Sequence, residues 1–348
     1  MDWEAGPAGA SGTQIPVRTQ QHQEEEAMQR NTGNRLALAL ALTLACGAPA
    51  LAQERKYPSR PIDMIVNFGP GGGADQLGRT ISKVLEPVLG VPMPVANIAG
   101  ASGNAGLTKV LTSTADGYTI GTLTGLSISA WASGLGKMQV RDFAYIAVVQ
   151  SSPSMLFLPK DSKIADYRSL LETAKANPGK LRVATAGFGT LDDIAVKYLG
   201  TRGFAMINVP FAKPGERYMS PLGGHSEVLF EEPGDVVQFI ESRQYRPIVV
   251  FGEKRHPSFP ETPASAEFGH HIDLPNWRAI VTAAKVPGDT LSTLNAAVAK
   301  ALDTAEWKKF CGETYTCIAK MSPQESLAFV HKNYEEVSKF MKEYGMIK

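Results

Sequence analysis

A glycine-rich turn at residues 69–73 has the composition and spacing best suited to bind an anion. A short, mostly apolar run at 61–68 precedes it, and apolar residues at helical spacing follow from Leu77 to Val88. Tandem glycines leave backbone N–H groups accessible at the start of a helix, where the helix dipole favours negative charge. The turn therefore predicts a site for a small anion such as a carboxylate. Asp75 lies in the first turn of the same helix, where its charge complements the dipole.

The same turn also fits a dinucleotide-binding site. Gly69, Gly71 and Ala74 match the G-x-G-x-x-A pattern between a strand and a helix. An NAD(P)-binding oxidoreductase is therefore an alternative. Against it, the next predicted strand, which ends before Asn97, lacks the acidic residue that would bind a ribose hydroxyl. Asp75 would also repel a diphosphate at the start of the helix.

A second turn of small residues, Ala186–Thr190, follows a predicted strand and precedes a predicted helix in the same way. Two such turns that face each other would hold a ligand across a cleft. Thr185 and Thr190 offer hydroxyl groups, and Phe188 offers an apolar wall. For each side chain taken alone, capping or packing within the fold is an equally good interpretation.

The sequence contains no recognisable set of nucleophile, base and orienting residue. The segment Gly100–Asn104 approaches the G-x-S-x-G pattern but lacks its final glycine. Four histidines lack metal-ligand spacing, and the last two are expected in an exposed loop; they are His225, His256, His270 and His271. We therefore expect no catalytic residues, no metal site and no cofactor.

The two turns belong to two series of alternating strands and helices. The first series has strands at 61–68, 94–96, 118–123 and 143–149 and helices at 77–88 and 108–114. The second has strands at 155–158, 181–185, 205–209, 226–230 and 246–251 and helices at 167–177 and 191–202. A strand at 277–282 and three helices after Pro287 complete the chain. This alternation predicts an α/β fold with largely parallel sheets flanked by helices.

The N-terminal region has the features of a secretory signal peptide. Arg30 and Arg35 precede the apolar run 36–45, and the small-residue triplet Ala50-Leu51-Ala52 follows. This pattern predicts cleavage after Ala52 and export to the periplasm.

Residues 1–52 are therefore interpreted as an upstream extension and the signal peptide, with Met28 as the natural start. Glu24 to Glu26 place negative charge where an export signal carries positive charge. The whole chain of 348 residues has a formal net charge of +1, with basic and acidic residues interspersed. This pattern argues against nucleic acid as a partner, and we expect a monomer that binds a small molecule.

After cleavage at the predicted site, Cys311 and Cys317 remain. The periplasm permits disulfides, so the pair can close a small loop. Two separately buried thiols are the alternative.

Several motifs, in a fixed order over most of the chain, resemble those of the substrate-binding proteins of tripartite tricarboxylate transporters, also called the Bug family. The motifs are Tyr57–Ile62, Pro70–Asp75 with Arg79, Gly100–Gly106, Asp116–Thr119, Ala176–Lys180, Val209–Phe211 and Gly223–Gly224. The resemblance implies a two-lobe, periplasmic-binding-protein-like (Venus flytrap) fold. We expect lobe 1 at 53–155 plus 275–348, and lobe 2 at 156–274.

The resemblance also implies that a ligand carboxylate is held between the glycine-rich turn of lobe 1 and the facing turn of lobe 2. The expected ligand-binding residues are Phe68, Gly71, Gly72, Gly73, Thr124, Gly125, Ser127, Thr185, Ala186, Gly187, Phe188, Gly189 and Thr190. To these we add Asp75 of the same turn, and Phe211 and Glu231, which stand at positions that depart from the family pattern. The implied partners are the permease subunits of the transporter. The implied mechanism is lobe closure rather than chemistry.

Departures from the family pattern bear on the ligand. Glu231-Glu232 replaces the usual acidic residue and Asn, and Phe211 replaces a Tyr. If Glu231 faces the cleft, it disfavours a second carboxylate unless a cation intervenes, and favours an amine or hydroxyl. Phe68, Phe188 and Phe211 favour an aromatic carboxylate. The sequence thus predicts a periplasmic solute-binding protein for a small carboxylate, with the oxidoreductase and a ligand-binding partner of a signalling receptor as alternatives.

Overall fold

The computed structural model describes residues 56–318 and 320–348, which contain two five-stranded sheets. The first sheet has the order β2-β1-β3-β10-β4, formed by β1 (Asp63–Val66), β2 (Val95–Asn97), β3 (Thr119–Thr124), β4 (Phe143–Ser152) and β10 (Asn276–Ala283). The second has the order β7-β6-β8-β5-β9, formed by β5 (Met155–Pro159), β6 (Arg182–Thr185), β7 (Ile207–Pro210), β8 (Val228–Glu231) and β9 (Tyr245–Val250). The predicted two-lobe α/β fold is confirmed. The predicted extension, signal peptide and cleavage site lie outside the described residues.

Both sheets are mixed, so they contain more antiparallel pairing than the sequence predicted. In the first sheet β1 pairs in parallel with β2 and β3, whereas β10 pairs antiparallel with β3 and β4. In the second sheet β6 pairs in parallel with β7 and β8, whereas β5 pairs antiparallel with β8 and β9. The chain leaves the first sheet through β4 and returns to it through β10. These neighbouring strands therefore run in opposite directions, which local periodicity does not reveal.

Helices cover the faces of both sheets. In chain order they are α1 (Gly73–Leu89), α2 (Asn104–Thr112), α3 (Gly125–Ala132), α4 (Tyr167–Ala176), α5 (Leu191–Thr201), α6 (Pro214–Leu222), α7 (Val237–Glu241), α8 (Gly288–Ala301), α9 (Ala305–Glu313) and α10 (Pro323–Glu343). Sequence reasoning missed α3, α6 and α7. Almost every residue of α3 is buried, so it has no polar face to set a helical period, and α6 contains Pro221. No helix among the described residues is both long and apolar enough to cross a membrane.

The C-terminal helix α10 packs against both lobes. Val330, near its start, is fully buried in the hydrophobic cluster of the first sheet. Val337 and Met341, further along, are buried in the cluster of the second sheet. Trp277 of β10 donates a hydrogen bond from Nε1 to Asn333 Oδ1 at 2.8 Å, which fixes the middle of the helix. One helix therefore belongs to the cores of both lobes.

The sequence predicted that His270 and His271 both lie in an exposed loop, and this prediction is wrong for His270. His271 is exposed, but His270 is buried and its Nδ1 lies 2.9 Å from the hydroxyl oxygen of Tyr167. Burial lowers the pKa of His270 and favours the neutral imidazole. His270 is therefore a core residue of lobe 2.

Cys311 and Cys317 are joined by a disulfide that closes a short loop after α9. The loop lies against β4, where Gln150 Nε2 donates to Thr316 Oγ1 at 2.7 Å. It also contacts lobe 2, because a Cβ added to Gly234 would lie 2.2 Å from the carbonyl oxygen of Thr314. The loop therefore contacts both the first sheet and the segment that follows β8.

Replacing both Cys311 and Cys317 by serine is expected to lower the free energy of unfolding by about 2 kcal/mol, because the crosslink restricts the unfolded chain. Urea denaturation of the double variant and of the oxidised parent measures the difference. The parent treated with reductant should lose the same amount. Equal midpoints in all three samples would show that the crosslink contributes nothing.

Candidate functional site

The glycine-rich turn of lobe 1 is held in shape by its own helix. Gly71 has φ +84°, a left-handed conformation that favours glycine, and Gly73 is the first residue of α1. Asp75 Oδ2 accepts a hydrogen bond from the N–H of Gly71 at 2.9 Å. Asp75 also pairs with Arg79 at 3.0 Å and accepts from Asn97 Nδ2 at 2.9 Å. Asp75 therefore stabilises the turn through hydrogen bonds within lobe 1.

The turn of lobe 2 is built in the same way. The first-turn carboxylates of α5 accept its backbone hydrogens: Asp192 from Ala186 at 2.6 Å, and Asp193 from Gly189 at 2.7 Å. This turn touches lobe 1, because Ser102 Oγ donates to the carbonyl oxygen of Phe188 at 3.3 Å. The two lobes are therefore in contact at this turn.

A buried cavity of about 20 Å³ lies between the lobes, next to the glycine-rich turn. Its walls come from both sheets and from α1, α3 and α6. The lining residues are Phe68, Gly72, Gly73, Ala74, Thr124, Leu126, Pro214, Arg217, Glu231, Asp235, Asn276 and Arg278. A space of this size holds about one water molecule. The lobes are thus closed on each other.

Two buried arginines and the buried carboxylates of Glu231 and Asp235 form most of the polar wall, and the buried carboxylate of Glu232 pairs with one of these arginines. Arg217 of α6 donates from Nε to Glu231 Oε2 at 2.9 Å. Arg278 of β10 lies 2.6 Å from Asp235 Oδ2 and 3.4 Å from Glu232 Oε2, measured from Nη2. Since Arg278 belongs to the first sheet and both its partners to lobe 2, these ion pairs cross between the lobes.

The carboxylate of Asp235 lies at the N-terminus of α1. Its Oδ2 accepts a hydrogen bond from the N–H of Gly73 at 3.1 Å. Asp235 is in a 3-10 turn, Pro233–Val236, that follows β8. The predicted anion site of lobe 1 therefore holds a carboxylate supplied by lobe 2, as the dipole of α1 favours.

Burial changes the ionisation of the carboxyl groups around the cavity. Desolvation raises the pKa of Glu232 to about 7, with the negative charge of nearby Asp235 adding to the effect. Desolvation also raises the pKa of Asp192 to about 7 and that of Glu231 above its usual range. The closed cleft therefore disfavours full ionisation of its carboxyl groups.

The pKa of Glu232 predicts that stability falls as pH rises. The folded protein binds this proton more tightly than the unfolded chain, so stability is lost between the unfolded pKa of 4.5 and the folded pKa of about 7. Each pH unit of that difference corresponds to about 1.4 kcal/mol of the free energy of unfolding. Denaturation in chelator-containing buffer from pH 5 to pH 7.5 measures this loss of stability.

Glu232→Gln should flatten that pH profile, since glutamine does not titrate. Glu216→Gln, which removes an exposed carboxylate, should leave the profile as in the parent. A profile that Glu232→Gln does not change would assign the pH dependence to another group.

The structure brings five of the sequence-predicted residues to the cavity wall: Phe68, Gly72, Gly73, Thr124 and Glu231. Five more form the lobe 2 turn without lining the cavity: Ala186, Gly187, Gly189, Thr190 and the preceding Thr185. Gly71 and Asp75 shape the lobe 1 turn. Their predicted roles in ligand binding stay predictions.

The remaining predicted residues lie elsewhere. Gly125 is the first residue of α3, and Ser127 accepts a buried hydrogen bond from Asn67 Nδ2 at 3.1 Å. Phe188 is 56% exposed and lines a separate surface groove. Phe211 packs against the hydrophobic cluster of lobe 2. Neither of these aromatic rings faces the cavity in the closed arrangement.

Sequence reasoning missed four polar residues of the cavity wall: Arg217, Asp235, Asn276 and Arg278. A signal existed for three of them. Asn276 and Arg278 alternate in an otherwise mostly apolar strand and therefore point to the same face. Pro233-Gly234-Asp235 is also a turn signature directly after Glu231-Glu232. Arg217 had no signal once α6 was missed.

Two lobes that close on a buried polar cavity, with a carboxylate at a helix start, define a two-lobe solute-binding protein. The family model described as "Tripartite tricarboxylate transporter family receptor" matches residues 77–346. The chain therefore belongs to this family of periplasmic receptors, in which the Bug proteins are included.

Known proteins agree with this assignment. A protein of Pseudomonas sp. (strain P51), described as "UPF0065 protein in tcbD-tcbE intergenic region", is 31% identical over 278 residues, covering 78% of this chain and 83% of that protein. The structure of the periplasmic binding protein BugD matches with a TM-score of 0.78 at 22% identity, covering 84% of this chain and 100% of BugD. MatC from Rhodopseudomonas palustris, solved with bound malate, matches with a TM-score of 0.75 at 22% identity, covering 82% of this chain and 99% of MatC. These structures share the two-lobe fold.

Proposed function

We propose that this protein binds a small carboxylate in the cleft between its lobes and delivers it to the membrane permease of a tripartite tricarboxylate transporter. The observation that carries the proposal is the carboxylate of Asp235 at the N–H of Gly73. Asp235 comes from the opposite lobe, so the closed cleft already pairs a carboxylate with the start of α1. A solute carboxylate of the same geometry would take the place of Asp235.

Binding requires an open form of the protein. A cavity of about 20 Å³ is too small for any organic solute, so the solute has to enter before the lobes close. The moving bodies are residues 53–155 with 275–348, and residues 156–274. Closure then buries the solute, and recognition of the closed form by the permease completes delivery.

The chemical class of the solute follows from the cavity wall and from a relative. Phe68 supplies an apolar surface beside the glycine-rich turn, which suits an aromatic or short aliphatic carboxylate. The structure of MatC contains malate, which supports a carboxylate as ligand. The protein acts on the solute by binding alone, after export to the periplasm with cleavage behind Ala52.

Isothermal titration calorimetry tests the ligand class. The protein is titrated separately with malate, adipate, benzoate and NAD. Saturable one-to-one binding of a carboxylate supports the proposal, and N-terminal sequencing of exported protein should begin at Gln53. Binding of NAD with no response to any carboxylate would favour the oxidoreductase instead.

Loss of the gene tests delivery. A cell that lacks this protein should lose uptake of the radiolabelled carboxylate identified by calorimetry. Restoring the gene should restore uptake. Unchanged uptake in the deletion strain would argue against a role in transport.

A further inference from the structure

The polar groups of the closed cleft carry more negative than positive charge. Four carboxyl groups and two guanidinium groups are buried around the cavity; they are Asp192, Glu231, Glu232, Asp235, Arg217 and Arg278. If all were ionised, the group would have a surplus of two negative charges. Uncompensated buried charge is strongly unfavourable, so the closed form requires protons or a cation.

The carboxylates lie close enough together to share one ion. One oxygen atom from each of Glu231, Glu232 and Asp235 lies within 4.8 Å of the other two. The arginines do not bind every carboxylate oxygen of this cluster, so some of these oxygens can bind an ion. Glu231 Oε2 binds Arg217, whereas Oε1 accepts, among the described residues, only the N–H of Glu232, at 3.2 Å. Both oxygens of Glu232 already accept hydrogen bonds, Oε1 from Ser154 Oγ at 3.0 Å and Oε2 from Asn276 and Arg278. Asp235 Oδ2 binds Gly73 and Arg278, whereas Oδ1 accepts no hydrogen bond from the described residues.

Two neutral oxygens in the same cavity wall have no hydrogen-bond partner among the described residues, and neither belongs to a carboxylate of the acidic cluster. Asn276 is 1% exposed, and its Nδ2 donates to Glu232 Oε2 at 2.8 Å. Its Oδ1 has no hydrogen-bond partner among the described residues. Thr124 is also 1% exposed, and its Oγ1 likewise has no hydrogen-bond partner among the described residues. Buried polar atoms rarely stay unpaired in native proteins, so these oxygens point to a bound species in the cavity.

We infer that Glu231, Glu232, Asp235 and Asn276 form a site for one divalent cation of the Ca²⁺ or Mg²⁺ type in the closed cleft. All the available ligand atoms are carboxylate and amide oxygens, which these hard cations prefer. The cavity has the volume of a single ion or water and excludes an organic cation. Two positive charges also balance the two surplus negative charges. The cation would hold lobe 2 to lobe 1, since Asn276 lies on β10.

The cation site does not depend on the proposed carboxylate binding. It does change how a carboxylate would be recognised, because a bound cation offsets the repulsion between the solute and Glu231. Carboxylate titrations with and without the cation therefore separate the two proposals. Carboxylate binding that is equal in both conditions, together with no saturable binding of the metal itself, would overturn the cation site and leave the proposed function intact. Absence of carboxylate binding in both would overturn the proposed function alone.

Metal titration of the full chain tests the site directly. The protein is stripped with EDTA, exchanged into chelator-free buffer, and titrated separately with CaCl₂ and MgCl₂ by calorimetry. We expect one-to-one binding of at least one of the two ions. Thermal unfolding should show a Tm increase of about 5 °C at a hundredfold excess over Kd, with no increase in NaCl of equal ionic strength. No saturable binding of either ion would overturn the inference.

Substitutions of the carboxylate residues test where the metal ion binds. Asp235→Asn should weaken metal binding at least tenfold, and Glu231→Gln provides a second test if the first variant does not fold. Glu216→Gln, an exposed carboxylate on α6, is the matched control and should bind like the parent. Parent-like metal affinity in a folded Asp235→Asn or Glu231→Gln protein would place the ion elsewhere and overturn the site.

Discussion

Replacing Gly73 by alanine is expected to weaken solute binding by roughly tenfold to a hundredfold. A Cβ atom at this position would lie 2.0 Å from Asp235 Oδ1 and 2.3 Å from Arg278 Nη2. Gly73 is the first residue of α1, where alanine fits, so the open form should fold normally. Overpacking of this kind costs about 1–3 kcal/mol, and each 1.4 kcal/mol corresponds to a tenfold change in affinity. The clash with Asp235 falls on the closed form alone, because Asp235 belongs to lobe 2. Arg278 lies in the same lobe as Gly73, so the end of its flexible side chain has to shift in both forms.

Small-angle X-ray scattering and calorimetry measure this effect together. The Gly73→Ala protein should have a larger radius of gyration than the parent and bind the identified carboxylate more weakly. Gly215→Ala is the control, because a Cβ at Gly215 meets no atom within 4 Å. If Gly73→Ala closes and binds as the parent does, the contact between Asp235 and α1 does not belong to the functional closed state.

Replacing Arg278 by methionine is expected to lower the free energy of unfolding by about 3–5 kcal/mol at pH 8. Arg278 is 3% exposed and pairs with Asp235 and Glu232, both buried. Removing one partner of a buried ion pair leaves an uncompensated charge, which has a cost of this size. The loss should be smaller at pH 5, because protonated Glu232 no longer needs a cation beside it.

Chemical denaturation at the two pH values checks this second prediction. Arg255→Met removes an ion pair with Glu267 at the surface, where both side chains are more than 40% exposed. That control should lose no more than about 1 kcal/mol. A loss from Arg278→Met as small as that of the control would mean that water reaches the cluster and screens it.

The local features of the site could be predicted because the chain encodes them within a few residues. The glycine-rich segment from Gly69 to Gly73 lies between an apolar run and apolar residues at helical spacing, which indicates a turn at the start of α1. The turn before α5 follows from the same pattern. The strand and helix alternation likewise gives the α/β class. These signals depend only on neighbours in the chain.

The polar lining of the cavity could not be predicted, because its pairs join distant segments. Arg278 lies 43 residues after Asp235 in the chain, and their contact depends on how the two lobes close. A charged residue within the apolar strand around Trp277 indicated an unusual environment but not its partner. That the glycine-rich turn binds a ligand carboxylate stays a prediction, and the internal carboxylate of Asp235 that accepts a hydrogen bond from Gly73 was not foreseen.

The position of α10 restricts how the cleft can open. Val337 and Met341 are anchored in one core and Val330 in the other, and exposing a buried side chain of this kind costs about 1.5–3 kcal/mol. Opening should keep all three buried, so the rotation axis passes close to this helix. Distances between probes placed on either side of α10 should then stay constant on opening. Distances between probes on Gly72 and Pro214, which are in contact in the cavity wall, should increase most.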